Sequence, residues 1–318
     1  AIVNEMTPRA RECDNQHISN IAWALAKLRI CDDDLLAAFE TEALRRTRSF
    51  IPQHLSNILF AYTTIGYSAP DLFIELGSEI SQRRDANSQA VANSTWALAI
   101  APREQSRSHA LPQISASSTV PELRALCKER GLSGYSKAKK ADLIEMLGNA
   151  APAHEPSARD VVIERLWRRA CAAPVSQWVD ANLKQLSQVQ VTLRCEENDL
   201  ADLPSPQLQH AMDSVRQGET ISGQQREVAR ALRAIGWDHR EEERLEGGIV
   251  VDMLGRDNVV VQFDGPSHYT RSLVGESFWS FDSNKELVGE ERLDGRTLWN
   301  TRMLESLGYK VVRVYYRD

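Results

Sequence analysis

Near the carboxyl end of the chain lie two short valine-rich runs, each of which contains one or two polar residues among apolar ones. Residues 249–254 (IVVDML) and 259–264 (VVVQFD) are separated by 255–258 (GRDN), which has the composition of a tight turn. Two β-branched runs joined by a turn are typical of a β-hairpin. Because side chains alternate across a sheet, one face of this hairpin would carry Val250, Asp252 and Leu254 on the first strand and Val260, Gln262 and Asp264 on the second.

Helical and extended patterns flank the predicted hairpin. A capping box at 222–225 (SGQQ) opens an amphipathic pattern that ends at Gly236, and a second helical pattern ends at Gly308. Residues 309–316 read as a final strand, whereas the highly charged residues 240–245 fit a third edge strand or an exposed loop. The order of helix, two or three strands, helix and strand predicts a small α/β layer with a helix on at least one face.

The first hundred residues contain an internal repeat. The segment QHISNIAWA, which starts at Gln16, recurs as QHLSNILFA from Gln53 and as QAVANSTWA from Gln89, at offsets of 37 and 36 residues. A period in this range, with apolar positions at helical spacing, indicates a solenoid of helical hairpins. Second helices are expected over 34–46 and 71–81.

Two sets of residues recur in phase within these repeats. The aromatic set is Trp23, Phe60 and Trp96, and the amide set is Asn20, Asn57 and Asn93. We expect the aromatic side chains to pack between neighbouring repeats, because a solenoid is stabilised through such interfaces. The asparagines fit two roles equally well, as hydrogen-bonded bridges between helices or as contacts to nucleobases.

A compact module is predicted between two linkers. Residues 102–118 and 149–159 have linker composition, and residues 119–148 read as a helix, an extended link and a second helix that begins with three lysines. Beyond the second linker, residues 160–221 form a helical connector. The domain prediction is therefore repeats at 1–101, the module at 119–148, the connector, and an α/β domain at 222–318.

Composition limits the function more than it identifies it. The formal net charge of -6 is unusual for a nucleic-acid binder, so binding would need a local basic patch. No apolar run approaches the length of a membrane span, so no membrane insertion is expected. The start at Ala1, without a visible leader, is consistent with a mature form or a fragment. The five cysteines lack a Cys-x-x-Cys pair, which argues against a disulfide framework and a zinc site: Cys13, Cys31, Cys127, Cys171 and Cys195.

The C-terminal motifs resemble the RAP domain, a family found in proteins that act on organellar RNA. The resemblance rests on the ordered series QQREV (224–228), IVVD (249–252), VQFDGPSH (261–268), LDGRT (293–297) and MLESLGYKVV (303–312). The RAP domain is itself similar to restriction-endonuclease-like folds, in which a helix glutamate and acids on two strands hold a divalent metal. The resemblance therefore implies an endonuclease-like α/β core.

Carried over position by position, the resemblance suggests candidate site residues. Glu227 would be the helix acid and Asp252 the strand acid, while Gln262 would occupy the second acid position. Asp264 stands where many relatives have lysine, and His268 could transfer protons near neutral pH. Asp252 and Asp264 could ligate Mg²⁺ or Mn²⁺, which prefer oxygen donors. In the alternative interpretation these residues are structural, with Asp264 capping a turn and Asp252 satisfying a buried donor.

Two further resemblances point to RNA. The repeats resemble octotricopeptide and heptatricopeptide repeats and the related FAST-kinase-like repeats, which meet single-stranded RNA on a concave surface. The module resembles a SAP domain or the N-terminal module of the transcription terminator Rho, both of which bind nucleic acid. The residues of this module that we expect to contact nucleic acid are Arg124, Tyr135, Lys137, Lys139 and Lys140.

The sequence thus predicts a multidomain protein with a helical repeat region, a small helix-extended-helix module and a C-terminal endonuclease-like α/β domain. Its expected partner is single-stranded RNA or ribosomal RNA, in a mitochondrion more than in a plastid. The leading hypothesis is an RNA-binding protein acting in organellar RNA processing, stability or translation. Two alternatives are a metal-dependent endoribonuclease and a structural subunit of an organellar ribonucleoprotein such as a mitoribosome.

Overall fold

The computed structural model describes most of the 318 residues. The described residues are 5–101, 119–121, 124, 139–140, 143, 157–196, 198–215, 221–245, 249–272 and 291–317. By their contacts, Ala1–Pro102 and Val161–Asp318 form one compact unit, and Arg103–Asp160 form a second. The first unit holds the repeats, the connector helices and the C-terminal region, which we define as residues 222–318.

The described helices and strands follow the chain in this order. The helices are α1 (Asn15–Leu28), α2 (Asp33–Arg45), α3 (Pro52–Ile65), α4 (Pro70–Gln82), α5 (Ser88–Ile100), α6 (Ala158–Ala172), α7 (Asp180–Cys195), α8 (Pro206–Ser214), α9 (Gly223–Ala234) and α10 (Gly295–Ser306). The strands are β1 (Ile30–Cys31), β2 (His239–Arg244), β3 (Val250–Gly255), β4 (Val259–Asp264), β5 (Tyr269–Ser272), β6 (Glu291–Leu293) and β7 (Lys310–Tyr315).

The repeats form a two-layer array of helical hairpins, as the sequence period predicts. The three repeated motifs lie on α1, α3 and α5, which pack side by side as a first layer, while α2 and α4 contact each other in a second. Pro52 and Pro70 start their helices. Of the in-phase aromatic side chains, Phe60 and Trp96 pack together as expected, with ring centroids 5.2 Å apart. Trp23 differs, because it is 43% exposed and lies beneath the Lys27 ammonium.

The connector helices continue this array. Helix α7 packs against α5 as the next first-layer helix. Its segment LSQV (186–189) aligns with ISNI (18–21) and LSNI (55–58), and Leu186 is fully buried like Ile18 and Leu55. Gln188 thereby takes the place of the in-phase asparagines. Val162 of α6 lies beside Gly77 of α4 in the second layer. The array therefore contains a fourth first-layer helix that was predicted only as a connector.

A four-stranded sheet forms the centre of the C-terminal region. Its order is β2-β3-β4-β7, with β4 and β7 parallel and the other neighbours antiparallel. Helix α9 packs on one face, where Ala229 meets Met253 and Val261. Helix α10 covers the other face, where Asn300 accepts a hydrogen bond from Gln262. The predicted hairpin and both flanking helices are thus confirmed, and of the two alternatives for the charged run 240–245 the structure shows the edge strand.

A second, three-stranded sheet joins the two ends of the chain. Strand β1, directly after the first repeat helix, pairs in parallel with β5, which pairs antiparallel with β6. The Arg271 N–H donates to the Arg29 carbonyl across this junction. The C-terminal region is therefore hydrogen-bonded to the repeats through their backbones.

Helix α10 and β5 lie along the C-terminal ends of the first-layer helices. Thr270 donates to the Ile65 carbonyl at the end of α3, and Arg302 donates to the Ala99 and Ala101 carbonyls at the end of α5. The indole of Trp299 donates to the Thr192 hydroxyl on α7. Helix C-termini leave carbonyl groups without intrahelical partners, and these donors satisfy several of them. The described part of the chain contains no helix long and apolar enough to cross a bilayer.

Candidate functional site

A cleft of about 380 Å³ lies where the repeats meet the C-terminal region. We call it the junction cleft. Residues from both parts of the unit line it: Arg29, Ser187, Gln188 and Val191 from the repeats, Glu242, Ile249, Val250, Asp252 and Gln262 from the sheet, Ser267 and His268 from the segment after β4, and Asp294, Arg296, Thr297, Trp299, Asn300 and Arg313 from α10 and β7. A concave site shared by two structural elements is a usual location for ligand binding.

A row of polar side chains crosses the sheet at the junction cleft. Gln262 of β4 pairs with Arg313 of β7. On the β3 side of Gln262, Glu241 of β2 pairs with Met253 of β3 and Glu243 pairs with Val251. Glu242 and Asp252, which lie between these pairs, are therefore opposite each other. Glu242 has a left-handed backbone, with φ of 50°, where the regular pairing is interrupted. The row therefore contains an acid on each of two neighbouring strands, followed by an amide and a guanidinium.

Asp252 is held by backbone and side-chain hydrogen bonds at the end of the β3-β4 pairing. Its Oδ2 accepts the Phe263 N–H at 2.6 Å, and its own N–H donates to Gln262 Oε1 at 3.2 Å. Burial raises the pKa of the Asp252 carboxyl, which the Phe263 N–H and the nearby His268 and Arg313 partly oppose. Oδ1 has no hydrogen-bond partner among the described residues and remains available as an acceptor.

Asp264 forms an internal ion pair with Arg313. Its carboxylate is fully buried, and Oδ1 lies 2.6 Å from Arg313 Nη1 and 3.1 Å from His268 Nδ1. Arg313 is further fixed by the Thr301 hydroxyl and the Thr297 carbonyl. A buried carboxylate requires such a partner, because an unpaired charge in the interior is costly. Asp264 therefore positions Arg313 and His268 at the cleft and does not line the cleft itself.

The first turn of α10 supplies positive charge to the cleft. Asp294 caps the helix by accepting the Thr297 N–H and also accepts a bond from Arg29 at 3.0 Å. Arg296, one residue into the helix, is exposed and has no ion-pair partner within the described ranges. Because Asp294 already compensates the helix N-terminus and Arg29, the positive charge that this end of the cleft offers to an anion is the guanidinium of Arg296.

The structure brings together some of the predicted site residues and leaves one outside. Asp252, Gln262 and His268 line the cleft, with Asp264 directly behind His268 and Arg313. Glu227 lies on the exposed side of α9 and is not part of the cleft. Instead, Gln225 of that helix is buried and donates to Glu242. Glu242 was missed because the run HREEER has no apolar alternation to assign a face.

These donors do not fit a divalent metal. Among the described residues, no group of three or more His, Cys, Asp and Glu side chains is arranged to hold one. One Asp264 oxygen is already bound by the Arg313 guanidinium and the His268 ring, and the helix acid Glu227 lies elsewhere. Metal binding by Asp252 and Asp264 stays a prediction that this geometry does not favour.

The predicted contacts of the small module are only partly described. Lys139 is exposed, Lys140 is partly buried, and Arg124 is a partly buried helical residue. The Leu143 N–H donates to the Lys139 carbonyl, which is the first turn of the expected second helix. Tyr135 and Lys137 lie outside the described residues. Their contacts with nucleic acid stay predictions.

A family model matches the C-terminal region, and the match begins within the strand that carries Gln262 and Asp264. Residues 261–318 match the RAP domain. The matched segment covers β4, β5, β6, α10 and β7, and the RAP domain therefore contributes most of the non-repeat wall of the junction cleft. Helix α9 and strands β2 and β3 precede the match and complete its sheet.

A second family model matches the predicted module. Residues 116–151 match the N-terminal domain of the Rho termination factor, slightly beyond the predicted bounds of 119–148. In chain order this Rho-type module lies between α5 and α6, within the third repeat unit. A RAP domain together with a Rho-type module points to a nucleic-acid-binding protein.

Proposed function

We propose that this chain binds single-stranded RNA and acts in the processing, stability or translation of organellar transcripts, with the mitochondrion as its compartment. The observation that carries the proposal is the junction cleft, in which the fourth first-layer helix and the RAP domain form one polar, partly basic site. Two matched domains that point to nucleic acid support the same partner.

The chemistry of the first-layer helices supports a single strand over a duplex. Trp23 exposes much of its ring and carries the Lys27 ammonium 5.1 Å from its centroid. Asn20 is exposed one turn away. Aromatic rings and amides recognise unstacked bases, whereas a duplex offers mainly backbone and shape.

Fluorescence anisotropy with labelled 12-nucleotide RNA, matched duplex RNA and single-stranded DNA tests the proposal. We expect the chain to prefer single-stranded RNA and its affinity to fall steeply with salt. Replacing Lys137, Lys139 and Lys140 with alanine should weaken binding to all sequences alike. Absence of binding by the isolated chain, with binding only inside an assembly, would contradict the proposal and favour a structural subunit. Cleavage with Mg²⁺ or Mn²⁺ that is lost in Asp252→Asn would favour an endoribonuclease.

A further inference from the structure

We propose that the junction cleft takes one splayed-out nucleotide of the RNA, with its base at Asp252 and its phosphate at Arg296. This inference rests on the proposed function and gives it a site and a base preference. The bases expected there are those that present an exocyclic amino group, adenine and cytosine among them, in preference to uracil.

The size of the cleft fits a single nucleotide. Its volume of about 380 Å³ is at the lower end of ligand sites, and it is bounded by α7, the sheet and α10. Proteins that read single-stranded RNA commonly separate a base from its neighbours and bond its edge. A duplex end would not enter a site of this volume.

At the end of the cleft where the base would lie, hydrogen bonds within the protein fix the positions of the acceptor groups. Gln262 uses both ends of its amide, accepting from the Asp252 N–H and donating to Asn300 Oδ1. The Phe263 N–H orients the Asp252 carboxylate and leaves Oδ1 open. A carboxylate oxygen accepts and cannot donate when ionised, so it pairs with an amino group and repels a carbonyl such as O4 of uracil.

The phosphate end is set by charge. Arg296, an exposed guanidinium near the start of α10, lies at this end of the cleft, whereas Arg29 beside it is paired with the Asp294 carboxylate that caps the helix. Arg296 and Asn300 are four residues apart, which corresponds to about 6 Å along the helix axis. Asn300 accepts from Gln262, whose amide oxygen accepts from the Asp252 N–H, so hydrogen bonds link the place of the base to the helix that carries Arg296.

The test measures binding of labelled A12, C12 and U12 RNA to the full chain and its variants by anisotropy. The wild type should prefer A12 and C12 to U12 by about 10-fold, the order expected from one hydrogen bond to a charged group. Asp252→Asn adds a donor and should reduce this preference to about 2-fold or less. Arg296→Ala should weaken all three RNAs by about 5-fold and lower the salt slope by about one.

Two further variants distinguish the loss of the nucleotide site from a general loss of RNA affinity. Ser187→Trp should fill the cleft and remove the base preference, because Ser187 lines the cleft from α7. Arg84→Ala, an exposed arginine outside the cleft, is the matched control and should bind as the wild type does. Thermal melts confirm that each variant is folded.

The outcomes distinguish this inference from the function on which it rests. Wild-type binding with a base preference that Asp252→Asn and Ser187→Trp leave unchanged would overturn the nucleotide site alone. No wild-type binding to any of the three RNAs would overturn the proposed function as well. Loss of affinity in Arg84→Ala equal to that in Arg296→Ala would show a diffuse electrostatic surface and would also overturn the site.

Discussion

Asp252 is a partly buried acid that links stability to the proposed function. Burial raises the pKa of its carboxyl above the unperturbed value of 3.8, so the ionised form is disfavoured in the folded state. The folded chain binds this proton more tightly than the unfolded chain does. Stability contributed by this group therefore increases as the pH falls through the raised pKa, and the ionised carboxylate is a cost at neutral pH.

We therefore expect Asp252→Asn to stabilise the fold at pH 7, since asparagine keeps an acceptor for the Phe263 N–H without the charge. The difference between variant and wild type should shrink as the pH falls through the raised pKa and become constant below about 3.8. Urea unfolding of both proteins over this range measures it. A wild type that is more stable than the variant at pH 7 would contradict a desolvated carboxylate.

Arg313 provides the positive charge nearest to the buried Asp264 carboxylate. Arg313→Met leaves the Asp264 carboxylate buried without its nearest cation, which should destabilise the fold by about 3 kcal/mol. Lys310→Met, on the same strand but exposed, is the control and should change stability by less than about 0.5 kcal/mol. Urea denaturation midpoints compare the two. Equal effects would mean that the ion pair contributes nothing specific.

The alternation of the sequence predicts part of this site and misses another part. Asp252 and Gln262 lie on one face as the strand period requires, because their apolar neighbours fix that face. Glu242 could not be assigned to a face, since its run HREEER is polar at every position and its backbone is left-handed. The resemblance to the RAP domain suggested Glu227 as the helix acid of the site. The apolar face of α9 instead turns Glu227 towards solvent and buries Gln225.

At the scale of elements, two glycines in equivalent positions test the packing of α10. Gly295 and Gly223 each follow an N-cap residue. A Cβ on Gly295 would lie 1.7 Å from the Thr63 carbonyl oxygen at the end of α3, whereas one on Gly223 would meet nothing within 4 Å. The close approach of α10 to the array therefore depends on the missing side chain.

We expect Gly295→Ala to destabilise the fold by about 3 kcal/mol, because backbone must move to admit the methyl group. Gly223→Ala should be neutral or stabilise by up to about 0.5 kcal/mol through the unfolded state. Differential scanning calorimetry of both variants measures the contrast. Similar melting temperatures would show that α10 approaches α3 less closely than this.

Local patterns predicted the repeat helices and the strands of the four-stranded sheet, but they missed the short strands β1, β5 and β6 and the fourth first-layer helix. The first three repeat helices share their motif at a regular period, but the fourth occurs 95 residues after the third, with Gln188 for asparagine and Val191 for the aromatic residue. Only its packing against α5 identifies α7 as part of the array.

At the scale of the molecule, the RAP domain and the repeats share one core. Trp299, Met303 and Leu304 of α10 belong to the same hydrophobic cluster as Leu55 and Leu98 of the repeat helices. Such contacts between distant parts of the sequence leave no local signature, so the sequence alone indicates two separate regions. When the C-terminal region is separated from the repeats, it loses the burial of Trp299, Met303 and Leu304 and the stability which that burial contributes.

We therefore expect isolated residues 222–318 to lack a cooperative unfolding transition. In contrast, replacing residues 103–156 with a Gly-Ser linker should leave the unfolding midpoint of the remaining chain unchanged, because those residues form the separate unit. Circular dichroism during urea denaturation checks both proteins. A cooperative transition in the short fragment would show an autonomous RAP domain.

The parallel pairing of β1 with β5 has a consequence for biosynthesis. Residues 30–31 reach the end of the ribosomal tunnel early, but their partner at 269–272 is translated about 240 residues later, roughly 10–50 s at ordinary elongation rates. Throughout that interval the nascent chain presents an unsatisfied strand and the apolar ends of its first helices. The three-stranded sheet can therefore form only after residue 293 has been translated, so this junction is a late step in the folding of the chain.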